Sequence, residues 1–492
     1  MTTLLSIDQG TTSSRAILFS ENGEILAVRQ KELPLHYPQK GWVEQDPEDI
    51  RDDTLWAARA VLTESGEIPA AVGITNQRET VIVWDRATGR PVYNAIVWQD
   101  RRTADLCERL KKGGHEPAVT ARTGLLLDPY FSATKLAWIL DHVEGARARA
   151  ERGDLAFGTV DSWLLWNLTG GDIHATDTTN AARTMLFNVR ENDWDDRLLS
   201  LFNVPRALLP AVHDNTSVFG QTTLLCDRTL AITGMAGDQH AAVIGQACFA
   251  EGMVKATYGT GCFALMNIGS NFRESQNRLL TTPAYRLDGR TTYALEGSIF
   301  VAGAAIQWLR DNLRLFSDAA ESEALATSVS DNNGVYFVPA FTGLGAPYWN
   351  PHARAAIIGL TRESNAAHIT RAALEAQAYQ TRDLMDAMKA DAGGLSAEIR
   401  ADGGLVANGF VCQLIADIID RPLEIPTVSE TTALGAAYLA GLQSGVYRDL
   451  DDLAGRWRCD RRFSPALPPA QSAALLDGWR AAIHAVQSVS GA

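Results

Sequence analysis

The chain is 492 residues long, which at about 150 residues per domain allows roughly three domains and makes one undivided core unusual. Its 46% apolar and 21% charged residues are an ordinary globular balance, which excludes a disordered or collagen-like chain. With 58 acidic against 44 basic residues the net charge is −14, so nucleic acid and anionic lipid are disfavoured partners and any anionic ligand must be gripped locally.

No stretch approaches the roughly 18 consecutive apolar residues of a membrane helix, and the N-terminal MTTLLSIDQGTTSSR lacks a basic flank and a small-residue cleavage site. The expectation is a soluble cytoplasmic protein without membrane insertion. The cysteines at 107, 226, 248, 262, 412 and 459 form no CxxC pair and read as small buried hydrophobes of a reducing compartment.

In chain order, Leu4, Leu5 and Ile7 form a strand, Gly10 to Arg15 a tight turn, and Ala16 to Phe19 a second strand. A helix is predicted after Asp46-Pro47, a capping residue and a first-turn proline, with Ile50, Leu55, Ala58, Val61 and Leu62 on its apolar face. Strands follow at Ala71 to Thr75 and Val81 to Trp84, and helices at Ser132 to Val143 and Asp161 to Leu168. Asp238 precedes the apolar run Ala241 to Ile244, as a helix N-cap would. Met253 to Ile268 again reads as strand, turn, strand, and helices are predicted at Ala305 to Leu315, Ala366 to Ala390, Gly409 to Ile419 and Thr431 to Leu442. The alternation implies α/β layers with helices covering a sheet. The turn Gly259-Thr260-Gly261 echoes Gly10-Thr11-Thr12 after 259 − 10 = 249 residues. That spacing replaces the three-domain allowance with two related halves, 1–246 and 247–492.

Both turns suit an anion. Gly10-Thr11-Thr12-Ser13-Ser14-Arg15 supplies backbone N–H groups, small residues, hydroxyl donors and a guanidinium, and Asp8 is placed to hold Mg²⁺ through waters. GxxxxGK[ST], GxGxxG, HRD, DFG and HExxH are all absent, which excludes P-loop NTPases, protein kinases and zincins. A third turn, Asp402-Gly403-Gly404, leads towards a helix after Asn408, and its paired glycines would let a flat base or ribose lie against the backbone.

These three turns resemble those of the actin, heat-shock and sugar-kinase superfamily. Tyr130 to His142, and Ala355 to Leu360 continuing through His368 to Glu375, resemble the two patterns of the FGGY carbohydrate kinases. DQGTTSSR (8–15), GITNQRET (73–80), NAIVWQDRRT (94–103), AGDQ (236–239), TYGTGCF (257–263) and FTGLGAPYW (341–349) are most similar to the family members that act on glycerol. The resemblance implies two ribonuclease-H-like domains flanking a central cleft, with glycerol against the first, ATP against the second, and a homodimer or homotetramer.

It further implies that Arg78, Glu79, Tyr130, Asp238 and Gln239 hydrogen-bond the glycerol hydroxyls while Trp98 and Phe263 flank its carbons. Asp238 would be the general base and Asp8 the Mg²⁺ ligand. Thr11, Thr12, Ser13 and Arg15 would hold phosphate oxygens from one domain and Thr260 from the other, with Gly303, Gln307, Gly404 and Asn408 around the nucleotide. His240 and Gly409 depart from the commonest pattern, and Gln221 to Thr229 lacks the glycine-rich loop with which some bacterial relatives bind fructose 1,6-bisphosphate. The rival readings are an FGGY kinase of pentuloses or longer polyols and an actin- or chaperone-like ATPase.

Overall fold

A computed structural model describes residues 2–350, 352–394 and 398–490. Its first half opens with β1 (Thr3–Gln9), β2 (Ser13–Ser20) and β3 (Ile25–Glu32), followed by α1 (Pro47–Ser65) and β4 (Ala71–Asn76). Asp46 caps α1 by accepting a bond from the Glu48 N–H at 2.8 Å, with Pro47 in the first turn as expected. Then come α2 (Ser132–His142), α3 (Val160–Leu168), the single turn α4 (Thr178–Ala181), β5 (Thr216–Thr222), β6 (Leu230–Gly237) and α5 (Asp238–Gly245).

The second half contains β7 (Val254–Tyr258), β8 (Cys262–Asn267), β9 (Leu280–Leu287), β10 (Arg290–Ile299), α6 (Gly303–Asp311) and α7 (Ala366–Ala392). It continues with β11 (Ile399–Asp402), α8 (Gly409–Ile419), β12 (Leu423–Pro426), α9 (Thr431–Gln443) and β13 (Cys459–Phe463). The helix predicted from Ala305 begins two residues earlier, because the Gly303 and Ala304 N–H groups bond carbonyls of the Gly259-Thr260 turn. It stops at Asp311, short of the predicted Leu315, and Arg314 takes a left-handed conformation at φ 55°.

The first sheet runs β5-β6-β4-β1-β2-β3 and the second β9-β10-β8-β7-β11-β12-β13. Within each lies the same five-stranded unit, β3-β2-β1-β4-β6 and β10-β8-β7-β11-β12, antiparallel across its first two pairings and parallel across the last two. The echo between the two turns therefore extends to a five-stranded unit in each half.

Every residue of β1 is buried, because both faces of the first sheet are covered. Leu5, Ile7, Ala16 and Leu18 pack with α1 and α3, while Leu4, Ile17 and Phe19 pack with Ala241 and Ile244 of α5 and Leu434, Ala437 and Tyr438 of α9. So α9, from the second half, lies on the first sheet. A Cβ at Gly73 would fall 2.1 Å from the Ala436 carbonyl oxygen, a distance only glycine permits. The topologically equivalent α5 and α9 cross at Gly245 and Gly435. No helix among the described residues is long and apolar enough to cross a membrane.

Candidate active site

The β1–β2 turn is closed by a 2.8 Å bond from the Gly10 N–H to the Ser13 carbonyl. Asp8 and Arg15 face each other across the ladder, and the guanidinium donates to the Asp8 carboxylate while lying 2.6 Å from Glu430 beside α9. Burial works against the Arg15 charge, but Asp8 and Glu430 outweigh it and hold the guanidinium above its usual range. Thr11 and Ser13 are half-buried and Thr12 is exposed. The Thr11 hydroxyl accepts a 2.9 Å bond from Trp98 Nε1, which ties this turn to a ring predicted for the other substrate.

The β7–β8 turn repeats this closure, Gly259 N–H to Gly261 carbonyl at 2.8 Å, and leaves Gly259 and Thr260 exposed. A Cβ at Gly303 would lie 2.7 Å from the Gly259 carbonyl oxygen, so α6 can start against the turn only with glycine there. Gln307 is exposed one turn further along α6. Gly403, at φ 93°, packs on the end of β7, where a Cβ would stand 2.4 Å from the Tyr258 carbonyl oxygen; beside it a Cβ at Gly404 would meet nothing within 4 Å. The Asn408 side chain caps α8, accepting from the Val411 N–H at 3.0 Å. Thr260, Gly303, Gln307, Gly404 and Asn408 thus all belong to the second domain, with both glycine-rich turns anchored on the end of β7.

A second group forms around Arg78, in the turn after β4. Its Nε lies 3.3 Å from the Asp238 carboxylate and 3.8 Å from that of Glu79, and its Nη2 lies 3.4 Å from the Tyr130 hydroxyl. Glu79 holds a left-handed φ of 64°, a conformation costing about 1 kcal/mol outside glycine, which the surrounding contacts must sustain. Trp98 stands edge-on to Tyr130 and Phe263 at 5.6 and 6.4 Å between ring centres. All three rings are only half-buried, so they keep open faces rather than completing the core.

Gly237 takes the cap position of α5, and Asp238 is its first residue rather than the N-cap that the sequence pattern predicts. The Asp238 side chain accepts from the Gln239 N–H at 2.6 Å and is 31% exposed, against 2% for Arg78 and 1% for Glu79. Burial raises its pKa above the ordinary aspartate value, partly opposed by Arg78 and Lys255. The Gly237 N–H is itself bonded at 3.0 Å to the Thr179 hydroxyl, whose proton goes to Asp177, so the start of α5 is fastened from α4. Gln239 accepts from the buried Lys255 ammonium of β7.

Sequence reasoning missed Lys255, Thr179, Arg183 and Glu296. The available signal was a charge inside an apolar strand: Lys255 in MVKATY and Glu296 in TYALEGSIF each need a buried partner. Lys135, inside the stretch from Tyr130 to His142, donates to the carbonyls of Pro129, Tyr130 and Phe131 at 2.6–2.9 Å and so pins the segment that carries Tyr130.

Residues 3–245 match the N-terminal domain, and residues 254–444 the C-terminal domain, of the FGGY family of carbohydrate kinases. The chain belongs to that family. It is 63% identical to the glycerol kinase of Nitrosomonas eutropha over 99% of this chain and 98% of that one. The glycerol kinase of Rhodospirillum rubrum is 59% identical over 99% of both chains. The crystal structure of Plasmodium falciparum glycerol kinase with ADP superposes with a TM-score of 0.93 at 36% identity, covering 99% of this FGGY chain and 98% of that one. A ligand-bound xylulose kinase from Lactobacillus acidophilus shares the fold at a TM-score of 0.90 and 23% identity, covering 100% and 99% of the two chains.

Proposed function

We propose that this FGGY kinase transfers the γ-phosphoryl group of ATP to a terminal hydroxyl of glycerol, releasing sn-glycerol 3-phosphate and ADP. The observation that carries the reading is the partly exposed Asp238 carboxylate, 3.3 Å from Arg78, which itself lies against Tyr130 and Phe263 in a group of half-buried rings completed by Trp98. Glycerol presents hydroxyls on a short hydrocarbon backbone, and a selective site needs fixed polar groups beside apolar walls. Arg78, Glu79, Tyr130, Asp238 and Gln239 supply the former, and the rings of Trp98 and Phe263 the latter. Full-length relatives bearing the name glycerol kinase, and the ADP in the Plasmodium structure, support the acceptor and the donor.

Asp238 accepts the proton of the attacking hydroxyl. Phosphoryl transfer through a loose transition state releases that proton late, so a weak base suffices and the orientation set by Arg78 contributes much of the effect. Thr11, Thr12, Ser13 and Arg15 hold phosphate oxygens from the first domain and Thr260 from the second. The nucleotide lies along Gly303, Gln307, Gly404 and Asn408. Domain closure would bring the two turns together and exclude water, limiting ATP hydrolysis.

The donor chemistry also suits Mg²⁺. Among the described residues no three His, Cys, Asp or Glu side chains gather to hold a metal on their own. Asp8 at the mouth of the first turn offers a single carboxylate, and Mg²⁺ commonly binds through one or two carboxylates with waters and phosphate oxygens. Bound there, the ion would neutralise phosphate charge.

The two domains divide at 1–246 and 247–492, and the enzyme works in the cytoplasm as a homodimer or homotetramer. ADP release measured with glycerol, dihydroxyacetone, xylulose or no acceptor tests the reading. Glycerol is expected to give the highest kcat/KM; equal rates with and without it would overturn the kinase assignment, and preference for xylulose would reassign the acceptor.

A further inference from the structure

Arg78 and Glu79 do not hold their positions alone. The guanidinium of Arg78 is gripped in a fork by Glu296 of β10, at 2.7 Å through Nη1 and 2.9 Å through Nη2. The same carboxylate takes two more bonds from Arg183, at 3.2 and 3.1 Å, and Arg183 Nε donates to Glu79 at 2.6 Å. All four side chains are at most 2% exposed. Two cations and two anions make a neutral set in which each charge would be very costly if left alone out of water.

We propose that Glu296, acting with Arg183, is a positioning residue for the glycerol pocket: a carboxylate from the second domain that sets the guanidinium of Arg78 and, through Arg183, the carboxylate of Glu79. The inference rests on the pocket reading above. A bidentate pair fixes the plane of a guanidinium as well as its place. With both Nη atoms of Arg78 committed to Glu296, Nε is left towards Asp238 at 3.3 Å, the edge where a substrate hydroxyl would bind. Arg183 also lies over the Tyr130 ring at 5.6 Å, so one buried cluster orients three of the pocket side chains. Burial works against the Glu296 charge, but Arg183 and Arg78 overcome it and hold its carboxyl far below the usual range. The anchor therefore stays ionised throughout the neutral range.

The test uses the full chain, with ADP release measured against glycerol at saturating ATP and against ATP at saturating glycerol. Glu296→Gln keeps the shape and removes one oxygen of the fork; its glycerol KM should rise at least tenfold while its ATP KM stays within threefold. Arg183→Lys keeps the charge but cannot hold Glu296 and Glu79 together, and should raise the glycerol KM severalfold. It decides the matter if Glu296→Gln does not fold. A fall in kcat alone, or equal shifts in both KM values, would make the cluster merely structural and overturn the proposal. Arg78→Ala separates the two layers. If it leaves the glycerol KM unchanged, the pocket reading fails; if it raises that KM and neither Glu296→Gln nor Arg183→Lys does, only the positioning role fails.

Discussion

Gly435→Ala adds one methyl group where α9 crosses α5. The new Cβ would stand 1.8 Å from the Ala241 carbonyl oxygen and 2.6 Å from its carbon, and both are backbone atoms that no side-chain rotation can move. Ordinary contact needs about 3.5 Å, so the helices must part by roughly 1.5 Å or tilt. In a free helix the same change would stabilise by about 1 kcal/mol. Overpacking typically costs about 1–3 kcal/mol, and a clash this close with a backbone that cannot rotate away puts this site at about 3 kcal/mol, so the crossing decides the sign and the variant should melt below the parent. Asp238 lies three residues before Ala241 on α5, and a displacement of about 1 Å at a reacting group can cost on the order of 100-fold in rate. Thermal melts and kcat at saturating glycerol and ATP measure both effects. Gly66→Ala is the control. Gly66 sits at φ 66° with nothing within 4 Å of a new Cβ, so alanine there should cost about 1 kcal/mol and leave kcat alone. A Gly435→Ala protein that melts higher than the parent, or turns over at the parental rate, would refute the close crossing.

Asp238→Asn should lower kcat by about 10²- to 10⁴-fold with a smaller rise in glycerol KM, since the amide oxygen can still accept from a hydroxyl, and should flatten the acid limb of the pH–rate profile. In the parent that limb is expected above the ordinary aspartate range, because burial raises this carboxyl; a parental rate in the variant would remove Asp238 as base. Lys135→Met leaves three buried carbonyls without their donor, and should cost about 2–4 kcal/mol in denaturant melts and raise the glycerol KM through Tyr130. Burial also raises the pKa values of Asp161 and Asp177, the latter further pushed by Asp161. A carboxyl raised in the folded state gives stability that is complete below its unfolded pKa and is lost as pH rises through the folded one. These two carboxyls therefore contribute a loss of stability as pH rises from about 4 to about 7, against the opposite contribution of the buried imidazoles of His174 and His240, and Asp161→Asn should lose less stability than the parent over that window; identical pH dependence would contradict the assignment.

What was legible in the sequence was local. Asp46-Pro47 before α1 and Asn408 before α8 announce helix starts because a cap needs only its neighbours, and a glycine turn between apolar runs identifies β1–β2 and β7–β8 for the same reason. Joining the site residues needed the family patterns, since Arg78, Trp98, Tyr130, Asp238 and Phe263 share no spacing. Long-range fits stayed hidden. Gly73, Gly245 and Gly435 look like ordinary glycines until α9 is laid on the first sheet and across α5. Glu296 finds Arg183 113 residues away and Arg78 218 residues away, pairings that no local periodicity encodes. The start of α6 is set by the Gly259-Thr260 turn, more than forty residues earlier, so helical spacing alone places it two residues late.

Phosphorus NMR of the full chain incubated with MgATP and glycerol identifies where the transferred phosphoryl group goes. One new phosphomonoester signal, that of glycerol phosphorylated at a terminal hydroxyl, is expected to grow in step with ADP. Inorganic phosphate appearing in step with ADP, with no phosphomonoester, would contradict the transfer to glycerol.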